Sequence, residues 1–294
     1  MSAVPLVLWL LGAAAGPVPA AAPERWADLP EAERVKALAA LPDGPLSARL
    51  VAVSERFLGT PYGVSPLGEG QGKDPDPLIR FDLVDCLTYV EETIALALAR
   101  APGQVDPLLA ALRYQKQVLY EDRNHLMEAQ WLPSNVKKGF LREASARYGG
   151  ADVQHAAKVI TAATWHTPSS QALDLPEERQ LVGRFPLDLV PLDKAPAHIR
   201  EVPSGTLMLV VREDLPGKVT RITHLGFVVQ KGKRTFFRHA SRNPFARVVD
   251  EDVESFFTRN ARYEKWRVTG VSFYDVLPKA PERPQPEHGE APPR

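Results

Sequence analysis

Apolar residues follow a helical period in the first half of the chain. After Cys86, four apolar residues share one predicted helix face: Leu87, Val90, Ile94 and Leu98. Glu91 and Glu92 are predicted to face away from it. The same period predicts further helices at residues 46–58, 107–120 and 135–148.

The second half of the chain instead carries short apolar runs typical of strands. They cover residues 206–211, 222–229, 235–240 and 268–276. Residues 158–192 are mixed, with several prolines, and give no clear pattern. Helices followed by a run of strands predict an α+β fold with an antiparallel sheet.

The two ends of the chain differ from the region between them. Residues 1–22 are predicted to be a secretory signal, because the apolar block at 4–15 is too short to span a bilayer and small residues follow it. The alternative is a buried N-terminal helix, since no Lys or Arg precedes the block. Residues 278–294 are Pro-rich and charged, which predicts disorder. We therefore expect one domain at 23–277.

Charge and cysteine content narrow the function. The chain has 36 basic and 36 acidic residues, so no broad basic face for nucleic acid is expected. With a single cysteine, Cys86, the chain has no internal disulfide, and an exported protein gains nothing from a spare thiol. The expected location is periplasmic or secreted, with no stable membrane anchor after cleavage.

Cys86 is a candidate nucleophile. Asp82 or Asp85 is predicted to cap the helix that begins near it, which would place the thiol at the positive end of the helix dipole. The alternative is a small buried side chain without chemistry.

Two histidines provide the partners that a thiol nucleophile needs. His224 and His239 lie in predicted strands joined by a turn at Gly232, and a hairpin centred between residues 231 and 232 would make them face each other. One imidazole would take the thiol proton, and the second would hold the first in the tautomer that a base needs. Structural histidines are one alternative. A zinc site of Cys86 and both histidines is another, but no fourth ligand is visible, so neither metal nor cofactor is expected.

The order of four short motifs resembles the NlpC-type cell-wall cysteine hydrolases. The motifs are GTPY (59–62), DC (85–86), HLGFVV (224–229) and HAS (239–241). The resemblance covers about residues 46–277. It implies a papain-like fold, in which the Cys begins a helix that packs on the sheet carrying the histidines.

The sequence DCLTYVE and a helical insert at about 105–148 are more similar to one branch, the N-acetylmuramoyl-L-alanine amidase-like proteins. This resemblance implies Cys86 as nucleophile, His224 as general base and acid, and His239 as the group that orients it. Tyr62 would help to stabilise the oxyanion. Thr88 stands where the superfamily more commonly has Gly, which would narrow the groove near the helix start.

Five residues are candidates for substrate binding: Arg123, Asn124, His125, Trp131 and Arg242. An Arg fork and an aromatic platform suit a sugar or a carboxylate-bearing peptide. For the four insert residues, the alternative is an ordinary surface loop with a core Trp.

These features together predict an exported cysteine amidase. It would hydrolyse the amide between N-acetylmuramic acid and L-Ala in peptidoglycan fragments through a thioester. The alternatives are an endopeptidase that cuts between D-Glu and the diamino acid of the stem peptide, and a catalytically silent wall-binding module.

Overall fold

The computed structural model describes residues 23–278. Its α-helices are α1 (Glu31–Ala39), α2 (Leu46–Glu55), α3 (Cys86–Leu98), α4 (Val105–Arg113), α5 (Leu132–Lys137), α6 (Ser145–Gly149), α7 (Pro168–Gln171), α8 (Ala195–His198) and α9 (Val253–Ala261). Its strands are β1 (Leu141–Glu143), β2 (Gln154–Ile160), β3 (Gly183–Pro191), β4 (Leu207–Arg212), β5 (Ile222–Lys231), β6 (Arg234–Ser241), β7 (Arg247–Asp252) and β8 (Val268–Val276). The predicted signal peptide, residues 1–22, lies outside the described residues, as does the predicted tail after Pro278.

The strands form one antiparallel sheet in the order β2-β3-β8-β4-β5-β6-β7, and β1 pairs with β8. The α+β class and the antiparallel sheet are therefore confirmed. Strands β4, β5, β6 and β8 correspond to the four predicted apolar runs. The end of β2 and the whole of β3 lie within residues 158–192, for which the sequence gives no clear pattern.

Side chains of the central strands alternate between the two faces of the sheet. Leu207 and Leu209 of β4 point toward α2, α3 and α4, whereas Met208 and Val210 point toward α9. Because β4 is buried on both faces, its sequence is a continuous apolar run, and no alternation of polar and apolar residues is visible in it.

The polar side of α3 is buried as well. Glu91 and Glu92, which are predicted to face away from the apolar stripe, are 1% and 0% exposed. Glu91 accepts hydrogen bonds from the Arg113 guanidinium and the Trp131 indole, both at 2.8 Å, and the Arg80 backbone N–H donates to Glu92 at 3.0 Å. Helix α4 and the chain around Trp131 cover this side, so α3 is enclosed all round and its carboxylates bind partners inside the protein.

Two predicted helices are shorter than expected. The helix at 107–120 is α4, which ends at Arg113. The stretch 135–148 is not one helix: α5 ends at Lys137, Gly139 adopts a positive φ of 76°, and the chain then enters β1 before α6. A residue without Cβ adopts this left-handed conformation at little cost, so Gly139 ends the helical path.

Within residues 23–278, none of the helices combines the length and the apolar character that a membrane span needs.

Candidate active site

Cys86 is the first residue of α3, and Asp85 caps the helix. The Asp85 carboxylate accepts the backbone N–H groups of Leu87 at 3.0 Å and Thr88 at 2.8 Å. In return, the Thr88 hydroxyl accepts the Asp85 backbone N–H at 2.9 Å, which completes a capping box. Of the two capping candidates, Asp85 is the one used. The Thr88 side chain is buried and its hydroxyl belongs to the capping box. This role accounts for a Thr at this position, so a narrowed groove is not needed to explain it.

The Cys86 thiol lies near strand β5, where the backbone N–H of Leu225 interacts with it and favours its thiolate form. Burial raises the pKa of the Cys86 thiol to about 12, and the Asp85 carboxylate adds to the rise. The backbone N–H groups of Leu225, Cys86 and Leu87 act in the opposite direction. At neutral pH the resting residue is therefore a thiol, and its proton leaves only when a base takes it.

We expect alkylation of Cys86 by iodoacetamide to be slow at pH 7 and to accelerate through pH 9 without a plateau, because only the thiolate reacts. Intact-protein mass spectrometry at several pH values measures this at the single cysteine, with free cysteine as the reference thiol. A rate that stays flat between about pH 5 and pH 8 would instead reveal a preformed thiolate–imidazolium pair.

The two predicted histidines contact each other and form a hydrogen-bonded chain with Glu251, which we call the relay. His224 Nε2 lies 2.6 Å from His239 Nδ1, and His239 Nε2 lies 3.1 Å from Glu251 Oε2. Arg259 donates to the same carboxylate at 2.8 Å. His224 immediately precedes Leu225 in β5, and the Leu225 N–H interacts with the Cys86 thiol.

The strand register differs from the predicted one. Lys231 pairs with Arg234 and Phe227 with Arg238, so the turn is centred between residues 232 and 233. The β5–β6 ladder ends at Phe227, before it reaches His224. The two imidazoles meet diagonally across the two strands, not as directly opposed residues.

The relay fixes the tautomers by donor–acceptor logic. Burial raises the pKa of Glu251, but hydrogen bonds from His239 and Arg259 outweigh it and hold the pKa below its usual value, so Glu251 is a carboxylate. His239 must then donate from Nε2, which leaves its Nδ1 as the acceptor for a proton on His224 Nε2. The remaining nitrogen of His224, Nδ1, carries the lone pair that a general base needs. Burial, with the neighbouring His239, also lowers the pKa of His224 well below the ordinary value, so the ring is neutral.

Tyr62 is held beside the helix start by backbone hydrogen bonds. Its N–H donates to the Ala246 carbonyl at 2.9 Å, and the next N–H, of Gly63, donates to the Val84 carbonyl at 3.0 Å. Burial raises the pKa of Tyr62, the charges of Cys86 and Asp85 raise it further, and Arg242 opposes the rise. These interactions place the Tyr62 hydroxyl in the same electrostatic environment as Cys86.

The candidate residues in the insert are buried or half-buried and bind partners within the protein. Trp131 is 0% exposed and donates to Glu91, and Asn124 is 2% exposed and donates to the Leu112 carbonyl at 3.3 Å. His125 is bonded to the Tyr120 carbonyl at 2.7 Å. The structure gives these side chains internal partners and brings none of them to Cys86 or His224, unlike Arg242, which lines the same cavity as His224.

Arg123 also has internal partners. Its guanidinium binds the carboxylates of Glu69 at 2.6 Å and Asp74 at 2.9 Å, which ties the insert to the loop before α3.

We expect Arg123→Gln to destabilise the fold by about 2 kcal/mol, because the buried Glu69 carboxylate loses its cation. KM should not change. Thermal denaturation and substrate titration test this, with Arg142→Gln, an exposed residue paired with Asp275, as the matched control. A raised KM with unchanged stability would restore Arg123 to substrate binding.

Two acidic residues were not recognised in the sequence. Glu128 accepts hydrogen bonds from the Thr220 hydroxyl and the Arg221 N–H, both at 2.6 Å, and from the Ile222 N–H at 2.9 Å. The insert thereby holds the start of β5, two residues before His224. Glu251 lies in β7, whose acidic sequence RVVDED lacks a strand pattern.

Among the described residues, 23–278, no three or more His, Cys, Asp or Glu side chains converge as a metal site would require.

Comparison with known proteins places the chain in a family. A crystal structure of a Legionella pneumophila protein shares 24% identity at a TM-score of 0.74, covering 85% of this chain and 95% of that one. An N-acetylmuramoyl-L-alanine amidase from Bacteroides uniformis shares 22% identity at a TM-score of 0.65, covering 80% and 100%. These identities show similarity of fold alone, and no curated protein matches the sequence significantly. The family model described as AmiA-like, N-acetylmuramoyl-L-alanine amidase-like, matches residues 52–262, which is more than half of the chain, and the chain therefore belongs to this family.

Proposed function

We propose that the protein is a cysteine amidase that hydrolyses the amide between N-acetylmuramic acid and L-Ala in peptidoglycan fragments. The observation that carries this proposal is the relay from Glu251 through His239 to His224, whose next residue, Leu225, interacts through its N–H with the Cys86 thiol at a helix N-terminus. The choice of bond rests on the family, which is described as N-acetylmuramoyl-L-alanine amidase-like.

The first half of the reaction forms a thioester. Nδ1 of His224 takes the proton of the Cys86 thiol as the sulfur attacks the lactyl carbonyl carbon. The oxyanion is stabilised by the Tyr62 hydroxyl and by the backbone N–H of Cys86. The imidazolium of His224 then protonates the amide nitrogen, the C–N bond breaks, and the peptide leaves with a free L-Ala amine.

The second half releases the acid. His224, neutral again, takes a proton from water, and the hydroxide attacks the thioester carbonyl. The C–S bond breaks, the sulfur recovers its proton from His224, and N-acetylmuramic acid leaves with a free lactyl carboxylate. Because Glu251 remains ionised throughout, it stabilises each imidazolium through His239.

Digestion of muropeptides in H₂¹⁸O tests the choice of bond. We expect ¹⁸O on the lactyl carboxylate of the sugar product and an intact peptide that begins with L-Ala. An ¹⁸O label on D-Glu would identify an endopeptidase. Binding to the wall without any label would identify a silent module.

Export is part of the same proposal, since the substrate class lies outside the cytoplasm. The apolar block at residues 4–15, followed by small residues, supports it. Mass analysis of the protein from the periplasm or medium should find an N-terminus after Ala20 or Ala22. A full-length chain retained in the cytoplasm would contradict export.

A further inference from the structure

A cavity of about 360 Å³ opens beside the general base. His224 and His239 line one side, and Arg212, Tyr263 and Trp266 line another. A ligand in this cavity therefore lies next to the residue that moves the proton. Its size is in the range of pockets that hold small ligands or one part of a larger substrate.

The charged side chains that line the cavity are all positive, apart from its histidines. Three guanidinium groups line it, from Arg212, Arg242 and Arg259, while no Asp or Glu is among the described residues that line it. Arg259 is neutralised by Glu251 at 2.8 Å. Neither Arg212 nor Arg242 has a carboxylate partner within residues 23–278, so two cations face the cavity without a counter-ion.

Arg212 is held in place by neutral partners. Its Nε donates to the Thr223 hydroxyl at 2.8 Å, and Nη1 donates to the Trp266 carbonyl. Its guanidinium also lies over the rings of Tyr263 and Trp266, at 4.8 and 5.5 Å from their centroids. Packing and hydrogen bonds thus orient a half-buried cation before any ligand arrives, which lowers the entropic cost of binding an anion.

We propose that this cavity binds the free α-carboxylate of the residue that follows L-Ala in the stem peptide. This inference rests on the proposed amidase function. In that substrate the lactyl carboxyl is consumed in the scissile amide, so every free carboxylate lies in the peptide. An extended chain advances by about 3.3–3.6 Å per residue. A carboxylate in a cavity that adjoins His224 therefore belongs to a residue close to the scissile bond.

The sugar fits the cavity less well. Carbohydrates stack on exposed aromatic faces, but Arg212 covers a face of both rings, and Lys218 lies 5.4 Å from the Trp266 centroid. A neutral sugar also has no charge that would complement the two unpaired cations.

Two substrates of equal size test the proposal. They are N-acetylmuramoyl-L-Ala-D-Glu and its D-isoglutamine form, in which an amide replaces the α-carboxylate. We expect the wild-type kcat/KM to favour the acid by roughly 10- to 100-fold, the usual range for a hydrogen bond to a charged group. Arg212→Gln and Arg242→Gln should each reduce this ratio toward one. Arg234→Gln, an exposed residue at the β5–β6 turn, should keep it.

The outcomes separate the two proposals. If neither substrate is hydrolysed, the amidase function fails and the cavity proposal fails with it. Equal hydrolysis of both substrates by the wild type overturns only the cavity proposal, and so does a ratio that both Arg variants retain. If Arg212→Gln does not fold, the wild-type ratio and Arg242→Gln still decide. A ratio of one, combined with loss of turnover when the sugar ring is removed and the lactyl group is kept on L-Ala, would assign the cavity to the sugar.

Discussion

Cys86→Ala should lower kcat/KM on an N-acetylmuramoyl-peptide by about 10⁴-fold or more, because loss of the nucleophile removes the covalent route entirely. The loss should appear in kcat, since the thiol takes part in the transition state and contributes little to ground-state binding. Product release followed by chromatography measures it. A variant that retains more than about one per cent of the wild-type rate would exclude Cys86 as the nucleophile.

The control for this substitution is a measurement of the stability of the variant. Cys86 is only half-buried, and the helix start depends on Asp85 and Thr88, so removal of the sulfur should change the free energy of unfolding by about 1 kcal/mol or less. Circular dichroism and thermal denaturation check this. Binding of the uncleaved substrate should persist. The loss of hydrolysis is what distinguishes an enzyme from a wall-binding module, whose function the substitution would leave untouched.

Glu251→Gln should lower kcat/KM by roughly 10²-fold. The neutral amide no longer stabilises an imidazolium, and its NH₂ group is able to donate to His239 and reverse the tautomer of both rings. The loss should be smaller than for Cys86→Ala because Glu251 acts through His239 and does not touch the substrate. Steady-state kinetics across the pH range measure it.

The pH profile makes this test specific. His224 must be neutral to act, so activity falls as pH drops through its pKa, which burial already holds well below the ordinary value. Without the Glu251 charge, the imidazolium is less stable and the acid limb should move to lower pH. Glu254→Gln, an exposed neighbour paired with Arg200, is the matched control. A Glu251→Gln enzyme with the wild-type rate and acid limb would remove Glu251 from the relay.

The local part of the site was predictable from the sequence. Asp85 and Cys86 stand directly before a helical apolar pattern, and capping depends on residues within one turn. The histidine pair was also predictable, because both residues lie in strands joined by a short turn. Its register was not. A shift of the turn centre by one residue moves every cross-strand partner by two, and the sequence around Gly232 does not fix that centre.

The long-range part was not predictable. Glu251 lies in an acidic strand without an apolar pattern, and its role depends on its position beside His239. Glu91 lies on the polar side of α3, away from its apolar stripe, but Arg113 and Trp131 from later elements enclose it. The polar and aromatic cluster of the insert was visible as a pattern, yet the pattern does not distinguish a substrate surface from internal hydrogen bonds.

The acyl-enzyme provides the most direct test of the central claim. Wild-type protein mixed with an N-acetylmuramoyl-peptide, quenched in acid within milliseconds and mapped by mass spectrometry, should carry an N-acetylmuramoyl group on Cys86, with no L-Ala attached. An adduct on another residue, or an acyl group that includes L-Ala and D-Glu, would contradict the proposed amidase.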